Sequence, residues 1–261
     1  MGSSWSYDEL TQTVSVHPNF NSRLTGLPPD TKTIIFKEKL YNVRSQFNRP
    51  IKKNQLPLNA QFIEFGYSFN QPIEKDSLPN SLTHLTFGNC FNQPISQDTL
   101  PNSITHLMFG YDFNQPIKQY SLPNSLTHLI FGDRFNQPIN QNTLPNSITH
   151  LTFGHYFNQL VNKDNLPDLL VSLIFDKSNF NKLIDMLPDS ITHLIMNTAS
   201  YGYQEIDKFP INLIFLELPL SYKYPINNLP YGLKTLKISK YYPTENVKLP
   251  FGCKILTKTS Y

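Results

Sequence analysis

Apolar residues recur along the middle of the chain with a fixed period. From Leu78 the sequence runs LPNSLTHLTFGNCFNQPISQDT, and Leu100, Leu122 and Leu144 open nearly identical stretches, so the period is 22 residues. Numbered from its Leu-Pro, each unit places Leu at position 1, Leu or Ile at 5, Leu at 8, Phe at 10, Phe at 14 and mostly Ile at 18. Positions 5 to 10, Leu82 to Phe87 in one copy, fit a short strand. Leu85 and Phe87 point to one side, and His84 and Thr86 to the other. Gly88 permits a turn that a side chain would hinder, and Pro79 and Pro94 bar a helix interior over the rest of the unit. One unit cannot bury its apolar side alone, but a stack of units can. The pattern predicts a mainly β, right-handed solenoid of about eleven coils, one short strand per coil in a parallel sheet, with an extended convex side and little helix. At about 4.8 Å per coil it would be about 50 Å long and only slightly curved.

The motif L-x-x-L-x-F-G, a following F-N-x-P and the 22-residue period resemble the FNIP repeat family, a relative of leucine-rich repeats. Here the signature reads Phe91-Asn92-Gln93-Pro94-Ile95, with Gln where the family name has Ile. The Leu-Pro start is also similar to short bacterial leucine-rich repeats, whose convex side is extended. The resemblance covers roughly residues 27–250. It implies a repeat scaffold of the kind found in amoebae and their large DNA viruses, acting in the cytoplasm, or in the host cytoplasm if viral.

In chain order, residues 1–26 do not fit the repeat and are expected to cap it, with Val14 and Val16 on a strand and Trp5, Tyr7, Leu10 and Phe20 covering the open end. This segment is shorter than the F-box that precedes the repeats in some relatives, so a ubiquitin-ligase adaptor is not expected. Repeats occupy residues 27–248, the first carrying an insertion within Lys37 to Gln46. A partial coil and cap follow over 249–261, after a Tyr-rich stretch expected to be half wet. Met1, Gly2 and Ser6 match a myristoylation pattern, which makes Gly2 a possible lipidation site. Without it no membrane association is expected, since no apolar run is long enough to span a bilayer.

A net charge of +3 with 16% charged residues is too mild for a nucleic-acid footprint. Cys90 and Cys253 are too far apart in the repeat to bridge, and no N-x-S/T acceptor occurs, which suits a reducing interior.

Stacking turns each position into a column. Asn70, Asn92, Asn114, Asn136, Asn158 and Asn181 form one, expected to tie turn to turn through the amide's donor and acceptor. His84, His106, His128, His150 and His193 form another, interrupted by Ser172, and raise the alternatives of metal binding or pH response. Ligands in a straight column do not converge on an ion, so no metal or other cofactor is expected. No Ser, His or Asp is singled out among the copies as a nucleophile or base, so no enzyme activity is expected.

Positions 9, 12 and 13 vary freely between copies, and the stack does not dictate them. Tyr67, Met108, Tyr111, Ile130, Asp133, Arg134 and Tyr156 are therefore the candidate contacts for a protein partner on the strand face and its rim. They are expected to form one continuous patch. The competing reading is a structural building block that self-associates or sits in a virus particle.

Overall fold

A computed structural model of the protein describes residues 4–36, 44–198 and 205–259. The chain divides into two compact units, residues 1–132 and 133–261. Both are built from stacked coils of about 22 residues whose strands pair in chain order. Among the described residues the only helical element is a single 3-10 turn, Thr244–Asn246.

The first unit contains β1 (Trp5–Asp8), β2 (Thr13–Val16), β3 (Thr33–Phe36), β4 (Phe62–Glu64), β5 (His84–Thr86), β6 (His106–Met108) and β7 (His128–Ile130). From β2 to β7 every pairing is parallel, and Leu85 lies beside Ile63 and Leu107. Val14 and Val16 are buried on β2. β1 pairs antiparallel with β2, a reversal the repeat pattern does not contain. Trp5 and Tyr7 are half-buried, whereas Leu10, expected to cover the end, is 98% exposed. Phe20 stacks on Phe47 with ring centroids 6.1 Å apart and so extends the Phe column by one coil.

The regular strands span only positions 7 to 9, shorter than the sequence pattern predicts. They are His84–Thr86, His106–Met108 and His128–Ile130. Core residues at positions 1, 5, 8, 10, 14 and 18 are buried in copy after copy, as at Leu78, Leu82, Leu85, Phe87, Phe91 and Ile95. The rings at positions 10 and 14 of one coil lie face to face, Phe87 on Phe91 and Phe109 on Phe113, each at 3.8 Å. The position-14 column repeats at about the coil spacing plus tilt, with Phe69, Phe91 and Phe113 at 6.1 Å intervals. Burying so many rings, each worth about 1.5–3 kcal/mol against exposure, is what stabilises coils too small to fold alone.

The glycine after the strand has a different cause from the one expected. None of Gly88, Gly110 and Gly132 sits at positive φ. Coils simply approach too closely for a side chain. A Cβ on Gly110 would lie 2.1 Å from the carbonyl oxygen of Gly88, and one on Gly132 would lie 1.8 Å from that of Gly110.

Polar columns satisfy the backbone outside the strands. Asn70 Oδ1 accepts the N–H of Asn92 at 2.9 Å, and Asn92 Oδ1 accepts that of Asn114 at the same distance. The same amide oxygens accept Nε2 of Gln93 and Gln115 at 3.0 and 3.1 Å. Two further columns come from residues that look like plain loop in the sequence. Ser103 Oγ donates to the Leu82 carbonyl of the preceding coil at 2.6 Å. Buried Ser77, Thr99 and Ser121 each close a turn by donating to the carbonyl three residues back at 2.7 Å.

The second unit contains β8 (His150–Phe153), β9 (Ser172–Ser178), β10 (His193–Thr198), β11 (Phe215–Glu217), β12 (Thr235–Ser239) and β13 (Lys254–Lys258), paired in parallel. Asn158 N–H donates to Asn136 Oδ1 at 2.9 Å, and Asn181 N–H to Asn158 Oδ1 at 3.2 Å. Phe180 falls one residue out of step in the sequence because Lys177 bulges from β9. Asp176 pairs with Asn197 and Ser178 with Thr198, leaving Lys177 unpaired at φ 47°. The ring column is thereby kept, with Phe157 and Phe180 at 6.3 Å. Tyr222 and Tyr242, in the same slot of two later coils, stack at 6.4 Å. Both are buried rather than half wet. Tyr222 Oη accepts the Ile206 N–H, Tyr242 Oη donates to the Tyr224 carbonyl, and burial pushes the Tyr222 hydroxyl up to about 12. Tyr201, Tyr203, most of the insertion and the possible lipidation site Gly2 lie outside the described residues.

Candidate functional site

In the first unit the outward residues of β4 to β7 form two rows. The inner row is aromatic. Phe62 stacks on His84 with centroids 4.4 Å apart, and His84 on His106 and His106 on His128 at 4.2 Å. Each imidazole is held by the Thr before it, as in the 2.9 Å contact between Thr83 Oγ1 and His84 Nδ1. That hydroxyl also reaches the Gln61 carbonyl at 3.1 Å, and Thr127 reaches the Thr105 carbonyl at 3.0 Å. A hydroxyl has one proton. Donated to the carbonyl, it leaves Oγ1 to accept from Nδ1–H, and the ring's Nε2 keeps its lone pair. Burial first, and the neighbouring His106 second, push the His84 pKa down.

The neighbouring rings are tilted by only 11° and 13°, so their lone pairs run side by side and do not converge. No group of three or more His, Cys, Asp or Glu is placed to hold a metal ion among the described residues.

The outer row is Glu64, Thr86, Met108 and Ile130, adjacent in register on paired strands. Met108 is 44% exposed, Ile130 37%, and Phe62 in the inner row 40%. Phe62 was not among the candidate contacts. Its signal in the sequence is an aromatic residue where the next four copies have His.

At the rim of this unit Tyr111 is exposed, but Tyr67 is half-buried. The guanidinium of Arg44 sits 4.1 Å above the Tyr67 ring. Arg44 belongs to the insertion in the first repeat, so comparing regular copies does not reveal this contact. Cys90 is a free, half-buried thiol whose pKa is raised by burial first and then by Asp112.

Asp133, Arg134 and Tyr156 belong to the second unit. Arg134 and Tyr156 are exposed and Asp133 is half-buried. Tyr156 N–H donates to the Asp133 carbonyl at 2.8 Å, and the Tyr156 ring meets His155 edge-on at 4.7 Å. His150 Nδ1 lies 2.9 Å from Thr149 Oγ1, and buried Ser172 stands beside it on β9. His193 stacks on Phe215 at 6.1 Å.

The strand face of the second unit also carries an ion cluster absent from the sequence reading. Glu217 is buried, with Lys258 Nζ 2.6 Å from Oε1 and Lys237 Nζ 3.1 Å from Oε2. Burial pushes the Lys258 ammonium down, against the pull of Glu217. The legible sign is position 9, which reads Glu217 and then Lys237, placing opposite charges side by side on neighbouring strands.

No described helix is long and apolar enough to cross a membrane. No curated protein matches the chain. A similar solved structure is that of the giant-virus protein CroV588, described as a novel circular LRR protein. The two are 34% identical with a TM-score of 0.69, over 94% of this chain and 43% of that one. This chain therefore spans less than half the length of that protein. The FNIP repeat model matches residues 47–90, 91–134 and 135–178, just over half of the sequence. With stacked 22-residue coils and the Phe-Asn-Gln-Pro-Ile signature in four consecutive copies, those of Phe69, Phe91, Phe113 and Phe135, the chain belongs to the FNIP repeat family.

Proposed function

We propose that this repeat protein is a non-enzymatic scaffold that binds a protein partner through its strand face. The observation that carries the reading is the exposure of Phe62, Met108 and Ile130 on β4, β6 and β7, on and beside a rigid stack of three imidazoles. Apolar and aromatic side chains held on a preformed sheet lose little entropy when covered, which is the character of interface anchors. Nearby, Thr33, Ile35, Phe62 and Thr86 line a shallow hollow of about 390 Å³ suited to an inserted side chain. Free cysteines and the lack of N-glycosylation acceptors support action inside the cell.

The test is affinity capture from the native source with the tagged chain and with a Met108→Glu/Ile130→Glu variant. A partner held by the first and lost by the second, with both chains equally stable, supports the reading. A partner retained by the variant, or self-association with no foreign partner, overturns it. The second outcome would favour the building-block role.

A further inference from the structure

In the first unit the Leu-Pro-Asn steps of successive coils and the turns before them enclose a cleft of about 310 Å³. Asn80, Asn102 and Asn124, at position 3 of three consecutive coils, line it together with Gln97, Asp98 and Tyr120. All six are exposed, and their side-chain polar atoms make no hydrogen bond to any described residue. The amides thus stand ready as a ladder of paired donors and acceptors, one per coil.

Tyr120 departs from the repeat. Position 21 takes a left-handed backbone in every regular coil of this unit, at φ 60° in Asn54, 61° in Asp76 and 60° in Asp98. Asn and Asp tolerate that conformation because their short side chains bond locally. Tyr120 adopts it too, at φ 63°, although a bulky residue is strained there. Its ring stays 66% exposed, so burial does not offset the strain. Strain kept at an exposed aromatic wall of a polar cleft points to a ligand.

The lining selects the ligand's class. It holds no Lys, Arg or His, and its one charge is the Asp98 carboxylate. Phosphate, nucleic acid and carboxylate ligands find nothing to pair with. Uncharged hydroxyls fit the amides and Asp98, and an apolar sugar face fits the Tyr120 ring. We propose that this cleft binds a neutral oligosaccharide, its pyranose units running along the amide ladder with one unit stacked on Tyr120. The site is independent of the strand face, so either can fail without the other.

The test is calorimetry and saturation-transfer NMR on the full chain with cellotriose as the probe, using Tyr120→Asn and Asn102→Ala. Tyr120→Asn supplies the kind of residue the other coils use in the same backbone, so it folds at least as well as the native chain. The expected result is binding with a Kd of about 1 mM that weakens about tenfold or more in both variants. No binding at up to about 10 mM cellotriose, or a variant that binds as tightly as the native chain, overturns the proposal.

Discussion

Asn92 holds the coil that follows it: its Oδ1 accepts the backbone N–H of Asn114 at 2.9 Å and Nε2 of Gln115 at 3.1 Å. Asn92→Ala removes an acceptor that serves both donors. The expected loss is about 1–3 kcal/mol, the usual cost of leaving buried polar groups unpaired. Asn92→Asp keeps an acceptor oxygen and should lose less. Urea unfolding of both variants measures this, and an Ala variant within about 0.5 kcal/mol of the native chain would show that water replaces the amide.

Gly110→Ala tests the close approach of coils. The added Cβ would meet the Gly88 carbonyl at 2.1 Å, and backbone cannot rotate aside as a side chain can. A destabilisation of about 3 kcal/mol or more is expected, at the upper end for overpacking. A thermal midpoint within a degree or two of the native one would mean that the stack opens freely there.

The His column predicts a sign for pH dependence. The His84 pKa is lowered in the folded state, chiefly by burial and then by His106. The unfolded chain therefore binds its proton more readily. Stability is fully present above the unfolded value near 6.5 and is lost as pH falls below it towards the folded pKa. Denaturant midpoints measured between neutral and mildly acidic pH should decline, and His84→Gln should flatten the decline. An equal slope in the variant would place the titration elsewhere.

Position decides how much an apolar side chain matters. Phe113 is fully buried, its ring 3.8 Å from Phe109, and Phe113→Ala should cost about 3–5 kcal/mol. Met108 is 44% exposed, and Met108→Ala should stay within about 0.5 kcal/mol. Calorimetric scans of the two variants check this, and similar losses in both would place Met108 in the core.

The columns of Leu, Phe and Asn are legible in the sequence because the copies are near-identical, so one coil's pattern stands for its neighbours'. What is not legible lies where copies differ. Arg44 reaches Tyr67 from an insertion, and β1 reverses direction outside the repeat. Lys258 meets Glu217 across 41 residues and two strand pairings, a contact no local pattern encodes. The glycine was legible as a requirement but not in its cause, since φ freedom and close approach leave the same residue in the sequence. Positions 4 and 22 read as loop because Ser and Thr are common there, and only the third dimension shows which carbonyl each serves.

The bulge at Lys177 also bears on how such an array is inherited. A surplus residue in one coil would offset every column beyond it, as a frameshift offsets every later codon. β9 expels that residue from the ladder, and the coil ends short, with Leu187 opening the next copy one position early. The offset is absorbed within that coil, so Asn181 still meets Asn158. The bulge falls where the glycine column ends, since the coils from Leu166 onward carry Asp176, Asn197, Pro219 and Ser239 at that position; the end of a strand is thus a place where this gene can gain a codon without losing its repeats.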